Sequence, residues 1–422
     1  MAFTVEDIEF FHAHGNDIRA QLQHWGIEPH CGKSVALDMR EIEKLRAAFG
    51  KHGRAVAELI HARAAGVRTH KIPWGLDSEY FYADADSIQQ STPAVVAAFR
   101  AQELADAHLS IAFDVTCSIG SEGAALTRSG ITYCGSDLDA SRLAMARNNV
   151  TAGHFYQADA LHPPISADML GAGGVVIADP ARRAGGRRIT SPKELLPPLP
   201  DVVDTYAGSH LLAKCAPGLD FSEWPGQVTL ISVDGGVKEA SLASPSLSDC
   251  SPSFAPRRRA VLLTSAAPVG DGECEHTVTN HVLDIVTPVA KESLPAAGPI
   301  GDFIIDPDGA IVRAGLVRDY AAREGLWQLD ENIAYLTGPR IPQGRSGFRF
   351  FELVPIKKLK SALAAHDCGR VEILVRGVGT DPDLLRKKLK LKGSSERAVV
   401  ITRIGRNGVA LICGPREWAA TK

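Results

Sequence analysis

Four segments between residues 111 and 179 each run into an aspartate: Ile111-Ala112-Phe113 into Asp114, Ile131-Thr132-Tyr133-Cys134-Gly135-Ser136 into Asp137, Phe155-Tyr156-Gln157-Ala158 into Asp159, and Val175-Val176-Ile177-Ala178 into Asp179. A helical run separates the first from the second, and Leu138 to Asn149 reads as a helix before the third. Short strands alternating with helices predict an open α/β sheet, with its acids gathered on the carboxyl edge where such sheets bind ligands. The first turn, Thr116-Cys117-Ser118-Ile119-Gly120-Ser121-Glu122-Gly123, suits a close approach of backbone to ligand, because Gly120 and Gly123 carry no Cβ to collide. Asp137, at the tip of the second strand, stands where a carboxylate binds both hydroxyls of a ribose. Ser118 replaces the first glycine of the dinucleotide fingerprint, and a nicotinamide enzyme needs no third and fourth acid.

These residues resemble a class I S-adenosylmethionine-dependent methyltransferase, most of all the group with a THUMP-like domain at its C-terminus. The trimethylguanosine synthase and rRNA guanine-N2 methyltransferase groups are similar. The likeness spans roughly residue 85 to the end of the chain. It implies S-adenosylmethionine as cofactor, with Asp114, Ser118 and Gly120 beside its methionine part. Asp137 and the following Leu138 would border the ribose, Asp159 and Ala160 the adenine. Gln90-Ser91-Thr92-Pro93 matches the family's Gln-x-Thr-Pro, which places Gln90 and Thr92 next to the cofactor; by residue type alone, Thr92-Pro93 is simply a good helix opening. Asp179 and Pro180 would begin the catalytic loop. In amino-group methyltransferases that loop reads Asp/Asn-Pro-Pro-aromatic, and Ala181 and Arg182 depart from it, which leaves the base and the atom open. A thiol attack on a pyrimidine would need Cys215, which reads better as a core residue ending a strand.

A chain of 422 residues has room for two or three domains. The expected division is an N-terminal helical module at 1–85, a Rossmann-like seven-stranded methyltransferase domain at 86–267 and a THUMP-like α+β domain at 298–422. Thr4 with Asp7 and Asp38 with Glu41 look like capping boxes that open helices, and a third helix carrying Val56, Leu59 and Ile60 should stop at Gly66. His52, His61 and His70, nine residues apart, share no helix face and read as exposed rather than metal-binding. Eight scattered cysteines form no Cys-x-x-Cys pair, so no metal is expected. Without about 18 consecutive apolar residues, and with charges near the N-terminus, membrane and secretion are disfavoured and a cytoplasmic protein is expected. Strands at Val228–Ser232 and Ala260–Thr264 are expected to close the sheet as an antiparallel pair. The serine- and proline-rich residues 240–256 between them should form a surface loop.

Charge is segregated. Residues 340–406 hold 16 Lys and Arg against 6 Asp and Glu, whereas the remainder holds 30 against 43. Within that region Pro382 to Leu391 predicts a helix with leucines on one side and Arg386, Lys387 and Lys388 on the other. Arg182, Arg183, Arg187 and Arg188 crowd the loop that leaves the carboxyl edge after Asp179. Both clusters suit phosphates, so RNA is the expected substrate and partner, gripped by the C-terminal domain. Two alternatives remain: methylation of a small molecule or protein, and an RNA-binding protein with a vestigial cofactor site.

Overall fold

The computed structural model describes residues 3–25, 37–164, 170–181, 183–184, 187–188, 191–265 and 281–420, the pairs 183–184 and 187–188 by backbone alone. The chain divides into two compact units, Met1–Arg257 with Val261–Ile285, and Arg258–Ala260 with Val286–Lys422. Residues 1–257 fall in the first of these units.

The first unit opens with α1 (Val5–His24), α2 (Met39–Phe49) and α3 (Gly53–Arg68). Capping boxes open α1 (Thr4, Asp7), α2 (Asp38, Glu41) and the short α4 (Ala85–Gln90; Asp84, Ser87), satisfying backbone donors that a helix start leaves orphaned. Helix α3 runs through Gly66 to Arg68 rather than stopping there. His52, expected to be exposed, is buried, with Nδ1 2.8 Å from Asp7 and its ring stacked on Phe10. Helix α5 (Ala94–Asp106) begins after Pro93, so Thr92 lies one residue outside the cap.

The sheet follows: β1 (Ile111–Asp114), α6 (Ser121–Arg128), β2 (Thr132–Asp137), α7 (Ala140–Asn149), β3 (His154–Gln157), β4 (Gly174–Ala178), a small hairpin of β5 (Arg183–Ala184) and β6 (Arg187–Arg188), α8 (Leu199–Thr205), β7 (His210–Cys215), β8 (Gln227–Val233), β9 (Gly236–Ala243), α9 (Pro245–Ser248), β10 (Arg258–Leu263) and β11 (Val282–Val286). Its order is β11-β10-β8-β9-β7-β4-β1-β2-β3. Strands β3, β2, β1, β4 and β7 are parallel, and β9 runs antiparallel to both neighbours. Alternate residues feed two cores: Ala112, Val175, Ile177 and Leu212 on one face, Phe113, Val176, Ala178 and Leu211 on the other.

The expected seven strands are therefore present with two more beyond β8. The antiparallel pair is β8 with β9, and of the expected Ala260–Thr264 strand all but Thr264 belongs to the additional β10 instead. Residues 240–243, expected in a loop, end β9 with Ala240, Leu242 and Ala243 buried. The missed signal is Asp234-Gly235, both at positive φ (51° and 76°), a two-residue hairpin turn whose hand matches strand twist.

The N-terminal helices pack their apolar faces onto this fold, and their core cluster takes in Ile119 and Met145. Buried Asn149 stitches the two layers. Its side chain accepts from the Tyr82 N–H at 2.8 Å and donates to the carbonyls of Tyr82 (2.8 Å) and Ile119 (2.9 Å).

The second unit holds β12 (Phe303–Ile305), α10 (Gly309–Ala314), α11 (Val317–Glu324), β13 (Trp327–Asp330), β14 (Ile333–Gly338), β15 (Ser346–Pro355), α12 (Leu359–Ala365), β16 (Cys368–Val375), α13 (Pro382–Leu389), β17 (Ser395–Ile404) and β18 (Asn407–Trp418). Its seven strands lie in the order β13-β14-β12-β15-β18-β17-β16, with the β16–β17 pair parallel. This is the α+β pattern expected from the sequence.

Candidate functional site

A cavity of about 730 Å³ opens along the carboxyl edge of the first unit's sheet. Its lining contains Gln90, Thr92, Asp114, Ser118, Asp137, Leu138, Asp159, Ala160, Asp179 and Pro180, ten of the residues singled out in the sequence. Gly120 lies behind this wall. It caps α6 at φ +77°, and a Cβ there would come within 2.9 Å of Val150, so its role is to let the turn close. The side chains of Arg182, Arg183, Arg187 and Arg188 lie outside the described residues.

The turn between β1 and α6 is held from both sides. Ser118 takes the left-handed conformation (φ +50°), its N–H donates to Asp137 Oδ2 at 3.0 Å, and its hydroxyl accepts from Arg142 at 2.8 Å. Asp137 Oδ1 accepts the Asp139 N–H at 2.9 Å. A carboxylate has about four acceptor sites, so two backbone donors leave Asp137 with capacity for hydroxyls on its cavity side. Burial raises its pKa, against the pull of the Asp139 and Ser118 donors. Beside it, Leu138 is 67% exposed, an apolar surface offered to a ring. Asp159 accepts the Leu161 N–H at 2.9 Å, and the Tyr206 hydroxyl anchors the same loop by donating to the Ala160 carbonyl at 2.7 Å.

At the other end of the cavity the Asp179 N–H donates to Thr116 Oγ1 at 2.6 Å. Ala181 bridges to Leu196, so Pro180, Ala181, Leu196, Pro197 and Pro198 line a common apolar wall, with Leu196 55% exposed. Below lies a buried charge network absent from the sequence reading. Lys214 donates to Thr92 Oγ1 (2.6 Å) and Asp179 Oδ2 (2.7 Å) and pairs with Glu122 (3.0 Å). Arg100 donates to Glu122 at 2.5 Å and pairs with Glu239. Burial disfavours the Lys214 ammonium, yet Asp179, Glu122 and Glu239 raise its pKa overall. Burial likewise works against the Glu122 carboxylate, but Arg100 and Lys214 hold it down to about 2. Among the described residues, no group of three or more His, Cys, Asp or Glu could hold a metal ion, and no helix is long and apolar enough to cross a membrane.

The chain is 42% identical over 388 residues to an S-adenosylmethionine-dependent methyltransferase of Mycobacterium tuberculosis, present in two strains, across 88% of this chain and 99% of the relative. It belongs to the S-adenosylmethionine-dependent methyltransferases. Residues 346–415 match the THUMP domain-like family. The crystal structure of a Porphyromonas gingivalis protein described as a methyltransferase shares the fold, with a TM-score of 0.65 at 18% identity over 89% of this chain and 98% of that one.

The methyltransferase cavity offers donor chemistry of the kind its cofactor needs: spare carboxylate capacity at Asp137, an exposed Leu138 beside it, and further acids towards both ends. Asp114 has an unusual state. Burial foremost, with Glu122 adding, pushes its carboxyl up to about 7 against Lys214, the Thr116 N–H and the Tyr133 hydroxyl. A folded pKa above the unfolded value means that the folded state holds the proton more tightly, so Asp114 subtracts stability as pH rises from about 4 to about 7. The methyltransferase carrying Asp114→Asn should thus match wild type near pH 4 and become more stable than it by pH 8. The gain is on the order of a few kcal/mol, at about 1.4 kcal/mol per pH unit. Denaturant unfolding of the cofactor-free protein at several pH values reads this difference, and a gap independent of pH would refute the assignment.

Proposed function

We propose that the enzyme methylates a base in RNA, in the cytoplasm, at an amino nitrogen oriented by Asp179. The cofactor supplies a methyl group on a sulfonium that departs as a neutral thioether. Because the leaving group needs no protonation, the protein's task is to hold the acceptor nitrogen in line, and placement alone accounts for much of such a rate. In this reading the acceptor nitrogen would take the methyl group from the cofactor's sulfonium, and its displaced proton would pass by way of the Asp179 carboxylate to water. Asp179 accepts the amino hydrogens, while Pro180, Ala181 and Leu196 flank the ring in place of the missing aromatic. Asp137 and Leu138 hold the ribose side of the cofactor, Asp159 and Ala160 its adenine. Gln90, Thr92, Asp114 and Ser118, on the turn closed by Gly120, hold its amino-acid end.

The RNA assignment rests on α13. Arg386, Lys387 and Lys388 are all exposed there, although Arg386 shares its charge with Asp383 at 2.6 Å. Mass spectrometry of nucleosides from total RNA of a deletion strain and its parent tests the function: one methylated nucleoside should be missing, and its identity names base and atom. Loss of none would turn attention to small-molecule or protein acceptors. For the purified protein, log affinity for single-stranded RNA should fall linearly with log salt, at about 0.7 per phosphate neutralised. Charge reversal at Arg386, Lys387 and Lys388 is expected to flatten that slope and to weaken all sequences alike, since phosphate contacts do not read bases. An unchanged slope would mean that these cations are merely solvated.

A further inference from the structure

Lys214 sits inside β7, 3% exposed, in a strand otherwise made of apolar residues and one histidine. Placing a cation there costs several kcal/mol of hydration unless its partners return it. Its ammonium has three hydrogens, and three partners stand within reach: Thr92 Oγ1 at 2.6 Å from the segment before α5, Asp179 Oδ2 at 2.7 Å from the loop after β4, and Glu122 Oε1 at 3.0 Å from the first turn of α6.

The two carboxylate partners of Lys214 differ in their surroundings. Arg100 on α5 already meets both Glu122 and Glu239, the carboxylates contributed by α6 and β9. Asp114 on β1 is hydrogen-bonded by the Tyr133 hydroxyl at 3.0 Å. Asp179 is the other carboxylate that Lys214 bonds, at 2.7 Å. It is also the one beside the apolar wall of the cavity.

We infer that Lys214 is a positioning residue for methyl transfer: it keeps the Asp179 carboxylate ionised and fixed in one orientation, tethered through Thr92 to the segment beside the cofactor. This rests on the reading of Asp179 as the group that orients the acceptor. A neutral side chain at 214 removes the adjacent positive charge, which ordinarily lowers a carboxyl pKa by about one to three units. It also removes the hydrogen bond that holds Asp179 Oδ2 in place.

The test needs no acceptor. In cofactor-free protein labelled with ¹³Cγ-aspartate, the Asp179 resonance is assigned by its loss in Asp179→Asn and titrated in wild type, Lys214→Gln and Lys214→Arg. Wild-type Asp179 should be ionised throughout pH 6–8, the midpoint should rise by at least about one unit in Lys214→Gln, and Lys214→Arg should restore it. In single-turnover transfer to RNA from the deletion strain, Lys214→Gln should be slowed about 100-fold at pH 7, with its acidic limb moved upward and cofactor Kd within about threefold of wild type. A merely structural lysine would lower the melting temperature and the rate at every pH without moving that limb. A protonated wild-type Asp179 at pH 7 overturns the inference with no variant needed, as does an unmoved midpoint in Lys214→Gln. A moved midpoint in a protein that transfers nothing to RNA leaves the lysine's role standing and overturns the RNA reading instead.

Discussion

Arg100→Ala is expected to cost the protein about 3–5 kcal/mol of stability at pH 7, the usual result of removing one member of a buried ion cluster and stranding the others. Arg100 is 3% exposed and pairs with Glu122 at 2.5 Å and with Glu239. Truncation would leave Lys214 as the cation facing both of them and Asp179. The loss should depend on pH. A carboxyl held down to about 2 contributes stability above its unfolded value near 4.5, and that contribution fades as pH falls through the folded value. The deficit of Arg100→Ala should therefore be largest above about pH 5 and shrink on acidification, as stranded carboxylates take up protons. Urea unfolding at pH 7 and pH 4 would show it. A deficit below about 1 kcal/mol, or one indifferent to pH, would mean that water reaches the cluster.

Asp179→Ala should reduce methyl transfer on the order of 1000-fold while leaving cofactor affinity nearly unchanged, the pattern of an interaction made with the acceptor. The loop should survive the change. Its backbone bond to Thr116 does not involve the lost side chain, and Lys214 keeps Glu122 and Thr92. Asp137→Ala is the complementary measurement. On the proposed cofactor placement it removes charge-assisted hydrogen bonds to the ribose, so cofactor affinity itself should fall by about 1.5–3 kcal/mol. Calorimetry with S-adenosylhomocysteine separates the two. Collapse of cofactor binding in Asp179→Ala would place that carboxylate with the cofactor and not the acceptor.

The acids at the strand ends were legible because strand and carboxylate are adjacent in sequence, and a strand's direction determines which edge its last residue occupies. Capping boxes at Thr4 and Asp38 were legible for the same local reason, as were the alternating strands β15 to β18. The network of Arg100, Glu122, Lys214 and Glu239 was not. Arg100 and Glu239 are 139 residues apart, and a lysine in an apolar strand shows no partner until sheet order brings one beside it. Strand β9 was missed because its second half falls in the serine- and proline-rich residues 240–256, which read as a surface loop, whereas Ala240, Ser241, Leu242 and Ala243 are buried. Spacing sets His52, His61 and His70 on different helix faces, yet it could not tell that His52 would pack against Phe10.

Asn149 carries a consequence for how such enzymes can be inherited. Its amide joins Tyr82, just ahead of the sheet, to Ile119, inside the cofactor turn. A lineage that discarded the chain up to and including Tyr82 would break those hydrogen bonds and bare the apolar surface around Ile119 and Met145 in the same event. The helical layer is therefore not an interchangeable module that recombination can swap for another. It has to travel with the turn it braces, and substitutions at position 149 should be constrained together with those at the backbone positions on both sides of the seam.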